Sequence, residues 1–486
     1  MSKKGGQPSI VLIFSLAATM IGATIISLPW VISQSGLILG PVLVILTGFL
    51  SIYTGRLILK NSKGYHDFGQ KCRDTLGAWS QYLAQGISVL VLLSAQISLH
   101  IFLSQNLHSL VNAFIAFTKH DSPTWWTTKI SALIILAVEF PLVLIPDLTV
   151  ILKISSFGII AVLAVCVIVV FKGVTPPGGI TMKDITYASP NFPVSLGVLS
   201  VSFFIHNILP SMFYDARSPK KNTLNMTLGF LLDMLLYLAV GITGYLGYHH
   251  FKDPATGQIK TVPDNILLCF ASTDIWAFVA RICLTLQMIV TWPVMFSQTR
   301  TSFFEGFFPR SALECGKGCT RPSRSKGFRG TRSEKRPLLD RNDGEETFSG
   351  HGDETKEEFK DKPLELNFWI HILPSSIVFM SIPTMFALFY PSVGNILRFA
   401  GSFCGFIYIF LLPNLVEIVV RIQAHRAGYV QLEVSPDASI NRDMNSLTGS
   451  KPKAAGCRVA FVVFRSSVLI LYGLSVFVMQ FIFKAK

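Results

Sequence analysis

Six consecutive residues near the start of the chain, Thr19-Met20-Ile21-Gly22-Ala23-Thr24, interrupt an apolar run with groups able to hold the charged ends of a small molecule. Gly22 tolerates backbone angles closed to other residues, and Pro29, in the following Ser27-Leu28-Pro29-Trp30, has no N–H to donate. A helix through this stretch can unwind near its middle and leave backbone groups unpaired. Half-helix N-termini then attract a carboxylate, and free carbonyls attract an amine or a cation. Gly22 is equally compatible with a plain packing notch between helices.

A second interruption lies far along the chain, in Ser200-Val201-Ser202-Phe203-Phe204-Ile205-His206-Asn207-Ile208-Leu209-Pro210. Two polar residues precede a proline inside an apolar stretch. His206 can titrate, bond a bound solute or act as a proton-sensitive gate, and it can also simply bond Asn207 between helices. A third stretch carries Gln287, Thr291, Trp292 and Pro293. A Thr hydroxyl beside a proline break suits a hard cation, although Thr also commonly bonds its own helix.

Enzymatic chemistry finds no support. There is no H-E-x-x-H, Walker loop or nucleophile elbow, and the histidines are scattered. Cys315 and Cys319 have no companion pair at metal-ligand spacing, and no disulfide framework can be read from the eight cysteines. The chain reads as a non-enzyme without a bound cofactor.

The elements that must carry these residues follow from composition. Half of the 486 residues are hydrophobic and 14% are charged, with a mean hydropathy of +0.50, so the lipid bilayer is the main solvent. Lipid offers no partner to backbone polar groups, and apolar runs of about 20 residues without period-two alternation select helices over a barrel. Apolar windows predict eleven spans, near residues 9 to 33, 37 to 59, 80 to 116, 128 to 146, 150 to 172, 195 to 214, 224 to 248, 275 to 299, 367 to 390, 394 to 420 and 459 to 483. The first interruption falls in span 1 and the second in span 6. A break that recurs five spans later is what an inverted repeat of five plus five helices requires, and it leaves one extra helix at the end.

The net charge of +14 gathers between spans. Arg56, Lys60, Lys63, Lys71, Arg73, Arg217, Lys220, Lys221, the loop from Arg310, Arg421 and Arg426 fall on one side, against Lys119, Lys172, Lys183, Lys252 and Lys260 on the other. That bias places the N-terminus in the cytosol and the C-terminus opposite, and makes the charge a topology signal rather than a nucleic-acid surface. The predicted organisation is a short cytosolic N-terminus (1–8), spans 1 to 8 (9–307), a disordered cytosolic loop (308–366), and spans 9 to 11 (367–483) with a second polar loop at 427–457. Gln96, His100, Glu139, Asp233, Asn395, Arg398 and Glu417 are costly in lipid and are expected to face the bundle.

Together with Ser272-Thr-Asp-Ile-Trp-Ala-Phe-Val-Ala-Arg281 and Phe389-Tyr-Pro-Ser-Val-Gly394, the segments from Met20 to Trp30 and from Phe203 to Asn207 resemble the amino acid/auxin permease family. The resemblance implies a leucine-transporter-type fold of eleven spans. It also implies that Thr19, Met20, Ile21, Gly22, Ala23 and Thr24 of span 1 hold an amino acid, with Phe203, His206 and Asn207 of span 6 opposite. A sodium ion would sit between Met20 of span 1 and Thr291 of span 8. Where sodium-coupled members carry Asn and a hydroxyl residue in span 1, this chain has Ala18 and Ala23, so a proton becomes an alternative coupling ion, with His206 as its candidate carrier.

Glu334-Lys-Arg-Pro-Leu338-Leu339 has the acidic-x-x-x-Leu-Leu form of adaptor-read sorting signals. It implies a sorting adaptor as partner at the 308–366 loop and residence in a lysosomal or late endosomal membrane, with the plasma membrane as the other choice. The expectation is a secondary active transporter of amino acids working by alternating access. A membrane sensor or scaffold that binds an amino acid with little transport is the alternative.

Overall fold

The computed structural model describes residues 6–22, 24–118, 123–145, 158–176, 179–180, 182, 184–214, 216–252, 259–271, 273–308, 368–426 and 452–483. Among these, regular structure is helical apart from a two-residue antiparallel pairing of Phe251–Lys252 with Ile259–Lys260. Seven helices are long and apolar enough to cross a bilayer alone: Leu39–Asn61 (span 2), Ala78–Phe117 (span 3), Pro219–Tyr248 (span 7), Ile275–Phe304 (span 8), Trp369–Phe389 (span 9), Val393–His425 (span 10) and Arg458–Ile482 (span 11). Ser9–Ile21 and Thr24–Ser35 make an eighth crossing with a 50° bend, span 1. Shorter apolar helices hold the places of span 4 (Thr128–Val143), span 5 (Gly158–Val174) and span 6 (Phe192–Ser202, then Leu209–Tyr214). The chain is a polytopic α-helical membrane protein.

Two prolines explain how the broken spans restart. Pro29 is the second residue of Leu28–Ser35, the α-helical part of the outer half of span 1, and Pro210 the second residue of the inner half of span 6. A first-turn proline forfeits no intrahelical hydrogen bond and has its φ already set for a helix. The span 6 break therefore lies just ahead of its proline, whereas in span 1 the 3-10 turn Thr24–Ser27 separates the Gly22 break from Pro29. At the first break Gly22 has φ +36° and ψ −140°, a conformation side chains with a Cβ rarely adopt. Pro293 behaves differently. Span 8 runs through it as one helix, so the expected break beside Thr291 is absent.

Packing sets span 1 at the centre. Its inner half lies on spans 5 and 7, and its outer half on spans 2, 6 and 7. Spans 6 and 10 approach so closely that a Cβ on Gly401 would stand 2.1 Å from the Gly197 carbonyl oxygen. Bulky apolar side chains such as Phe49, Val167, Leu235, Phe464 and Leu471 point outward, as a lipid-facing surface requires.

The polar residues of the spans turn inward. His100 and Glu139 are fully buried and join spans 3 and 4 at 2.8 Å. Gln96 donates to Thr299 across spans 3 and 8. Arg398 of span 10 bonds the side chain and backbone of Gln480 in span 11. Glu417 accepts from Asn61 and Arg421 where the ends of spans 2 and 10 meet. Asn395, half-buried at the outer end of span 10, bonds Tyr390 and Ser392.

Candidate functional site

The two breaks meet, and one residue ties them together. Tyr237 of span 7 is fully buried, with its hydroxyl 3.0 Å from the Met20 carbonyl in span 1 and 2.9 Å from the Ser202 carbonyl at the end of the outer half of span 6. A phenol has one proton, so it donates to one carbonyl at a time. The Thr24 hydroxyl lies 3.5 Å from the same oxygen, within reach to donate to it. Tyr237 thus joins two unwound backbones with a neutral group.

The span 1 segment is arranged around this contact. Met20 and Ile21 are buried, while Thr19, Gly22 and Thr24 are half-buried. Thr19 bonds back to the Ser15 carbonyl and Thr24 to the Ile21 carbonyl. Ala23 lies outside the described residues. In span 6, Phe203 to Ile208 separate the two half-helices. Phe203 and Phe204 donate to Leu199 and Val201, and Ile208 to Ile205. Among the described residues, the N–H groups of Ile205, His206 and Asn207 have no backbone acceptor. The breaks therefore supply free donors from span 6 beside carbonyls from span 1.

Side chains of span 6 are less engaged in this gap than the sequence suggests. The Phe203 ring packs on Tyr237 and Phe230, with centroids 5.2 and 6.3 Å away, and a Cβ on Gly48 of span 2 would touch it at 3.3 Å. His206 is fully buried, and its Nε2 lies 3.0 Å from the Thr54 hydroxyl and 3.2 Å from the Ser51 carbonyl, both in span 2. Its Nδ1 has no partner. Asn207 is half-buried. The structure brings the span 1 backbone and the span 6 backbone together, and directs Phe203 and His206 into the packing behind them.

Thr291 bonds within its own helix, donating to the Gln287 carbonyl at 2.8 Å and accepting the Gln287 amide at 3.0 Å. The Met20 carbonyl is already an acceptor for Tyr237. Both oxygens proposed for sodium thus already have a hydrogen-bond partner inside the protein. Among the described residues no cluster of three or more His, Cys, Asp or Glu could hold a metal ion. Glu334, Leu338 and Leu339 lie outside the described residues.

The second half of span 1 is clasped. Ser27 donates to the Asp264 carbonyl at 2.7 Å and Ser195 to the Val31 carbonyl at 2.7 Å. The Asp264 carboxylate accepts the Gly394 N–H at 3.0 Å and so caps span 10 from another segment, since Ser392 at the cap position makes no such bond. Gly394 leaves room for the Trp30 ring, which a Cβ would meet at 2.7 Å. Burial raises the Asp264 carboxyl above the ordinary range, opposed by the Gly394 and Val393 N–H groups. A cleft of about 740 Å³ also opens among spans 3, 4 and 9, lined by Gln105, His108 and Lys129, and none of the break residues contributes to it.

Comparison with known proteins gives the family. The model of the family described as "Transmembrane amino acid transporter protein" matches residues 10–428. A "Sodium-coupled neutral amino acid transporter 9 homolog" of Caenorhabditis elegans is 24% identical over 484 residues, covering 85% of this chain and 68% of the relative. "Neutral amino acid transporter 9" of Danio rerio is 23% identical over 470 residues, covering 85% and 75%. "Vacuolar amino acid transporter 2" of Saccharomyces cerevisiae is 22% identical over 291 residues, covering 58% of each chain.

Proposed function

Because the chain belongs to the transmembrane amino acid transporter family, a family of transporters rather than enzymes, we propose that it carries amino acids across a lysosomal or late endosomal membrane by alternating access. The observation that carries this reading is the meeting of the two breaks at Tyr237. An amino acid presents a carboxylate and an ammonium group at fixed separation. The unpaired N–H groups of Ile205, His206 and Asn207 suit the carboxylate, and the carbonyls of Thr19 to Gly22 suit the ammonium. Met20, buried beside them, and Thr24 complete the span 1 side, while Phe203 and His206 hold the span 6 backbone in place against span 2.

Alternating access then consists of the two halves of span 1 moving about the Gly22 break. The outer half is clasped by Asp264, Ser195 and Gly394, and the inner half lies along span 7. Sodium would have to share the Met20 carbonyl with Tyr237 and the Thr291 hydroxyl with Gln287. The endomembrane location is supported by the Glu334, Leu338, Leu339 pattern, which a sorting adaptor would read, and by the vacuolar name of the yeast relative.

Purified protein in liposomes should take up labelled neutral amino acids with saturation. Replacing sodium by choline should leave that uptake unchanged. Saturable binding with no uptake would instead make the chain an amino-acid sensor. In cells, replacing Leu338 and Leu339 by Ala should move the protein to the plasma membrane; unchanged location removes the sorting role.

A further inference from the structure

Span 7 carries a carboxyl that the reading above does not use. Asp233 is fully buried, and neither of its carboxyl oxygens has a hydrogen-bond partner. Other ionisable groups deep in the bundle each have a partner: Glu139 bonds His100, Glu417 accepts from Asn61 and Arg421, and Arg281, Arg300 and Arg398 donate to carbonyl oxygens.

Its position is set by a stripe on span 7. Gly229, Asp233, Tyr237, Gly241 and Gly244 follow one another at helical spacing on a single face. A Cβ on Gly229 would meet Leu16 of the inner half of span 1 at 2.3 Å. The Tyr237 hydroxyl holds the Met20 carbonyl. Gly241 and Gly244 face Leu28, Ile32 and Pro29 of the outer half. The stripe thus follows span 1 along its length, and Asp233 sits on it one turn to the cytosolic side of Tyr237, between the Leu16 and Met20 contacts. The thiol of Cys166 in span 5 and the Tyr237 phenol are its electrostatic neighbours.

No cation approaches it among the described residues. Neither half of span 1 contains an ionisable side chain. Span 2 offers Tyr53, beside Arg465, and Arg56, which bonds Thr227, with Lys60 further towards the cytosol near Glu417. Span 5 offers Cys166 and, at its outer end, Lys172 paired with Asp274. Lys220 and Lys221 are exposed at the cytosolic start of span 7, and His206 lies beyond the Phe230 ring.

An ionised carboxylate in such a place costs several kcal/mol, far more than a carboxylic acid with unmade hydrogen bonds. Charge on Asp233 is therefore incompatible with span 1 lying over it, and compatible with span 1 moved away and water admitted. We propose that Asp233 is the proton-carrying group of the transport cycle. It takes a proton from water on one side of the membrane, forming an O–H bond, stays neutral while span 1 closes over it, and returns that proton to water on the other side. This rests on the transport reading and assigns its coupling ion.

The test uses the full chain in liposomes loaded with a pH-sensitive dye and supplied with labelled amino acid. Wild-type uptake should acidify the lumen in step with substrate, and a gradient of about one pH unit should sustain at most about tenfold accumulation if one proton moves per substrate. Asp233→Asn should lose both the acidification and the accumulation. An Asp233→Asn protein that still concentrates substrate with protons overturns the proposal. Wild-type uptake without proton movement overturns it too, yet leaves transport standing, whereas wild-type protein with no uptake at all removes the transport reading itself. If Asp233→Asn does not yield folded protein, Asp233→Glu decides: a displaced pH for half-maximal uptake supports the assignment, and an unchanged pH profile refutes it.

Discussion

Replacing Tyr237 by Phe removes one oxygen and leaves the ring packed on Phe203 and Phe230. The lost hydroxyl is the one group that joins the Met20 carbonyl to the Ser202 carbonyl, at 3.0 and 2.9 Å. It has a single proton, so one hydrogen bond at a time disappears, not two. A buried acceptor stripped of its donor costs about 1–3 kcal/mol in water-soluble proteins, and hydrogen bonds between membrane helices lie at or below the lower half of that range. We take about 1–2 kcal/mol, which is a factor of roughly 5 to 30 in an equilibrium. The two breaks should drift relative to each other, and the half-saturating amino acid concentration should rise by that factor. The assay is concentration-dependent uptake into liposomes, together with thermal unfolding of the detergent-solubilised protein. Weaker half-saturation with an unfolding temperature near wild type is the expected pattern. Wild-type half-saturation in Tyr237→Phe would refute the idea that this hydroxyl organises the site.

Other consequences can be tested in parallel. Glu139→Ala leaves His100 alone in a fully buried place and should cost about 3–5 kcal/mol, lowering the unfolding temperature sharply, whereas Glu139→Gln keeps an acceptor and should cost less. Equal unfolding temperatures for wild type and Glu139→Ala would contradict this. Asp264→Ala removes the cap on span 10 and should loosen the outer closure by about 1 kcal/mol, read as roughly fivefold faster labelling of a cysteine placed at Leu28 from the non-cytosolic side. Since burial raises the Asp264 carboxyl, the closed face binds its proton more tightly than an open, hydrated one. Acid should therefore favour closure, and that contribution should fade as pH rises through the raised value. Labelling at Leu28 that does not change with pH would oppose this sign.

Much of the architecture could be read before any coordinates. Apolar runs located the spans, and Gly22 with Pro29 and Pro210 located the breaks, because only a glycine reaches φ +36° without strain and a proline restarts a helix cheaply. Pro293 misled for the complementary reason. It is the same residue type inside a helix that runs on through it. The seven-residue π-helical stretch Gly405–Leu411 in span 10 left no sequence signal either. Tyr237 was the main omission. A tyrosine in an apolar run looks like any other core aromatic, but its place between Gly229 and Gly241, each four residues from Asp233 or itself, marks a face that another helix must approach closely. His206 attracted attention by its chemistry, yet Thr54 and Ser51 satisfy one of its nitrogens, and contacts between spans 2 and 6 are invisible in either segment alone.

The central claim is that the break in span 1 is where an amino acid binds and about which the protein moves it. Gly22→Leu tests it directly. A Cβ at Gly22 would meet nothing closer than 3.9 Å, so the first side-chain atom has room and the conflict begins in the backbone angle, at about 1–3 kcal/mol. Labelled amino acid uptake into liposomes should be saturable for the wild type and reduced roughly 5- to 150-fold in Gly22→Leu, with both proteins folded. Equal saturable uptake by the two proteins would contradict the account.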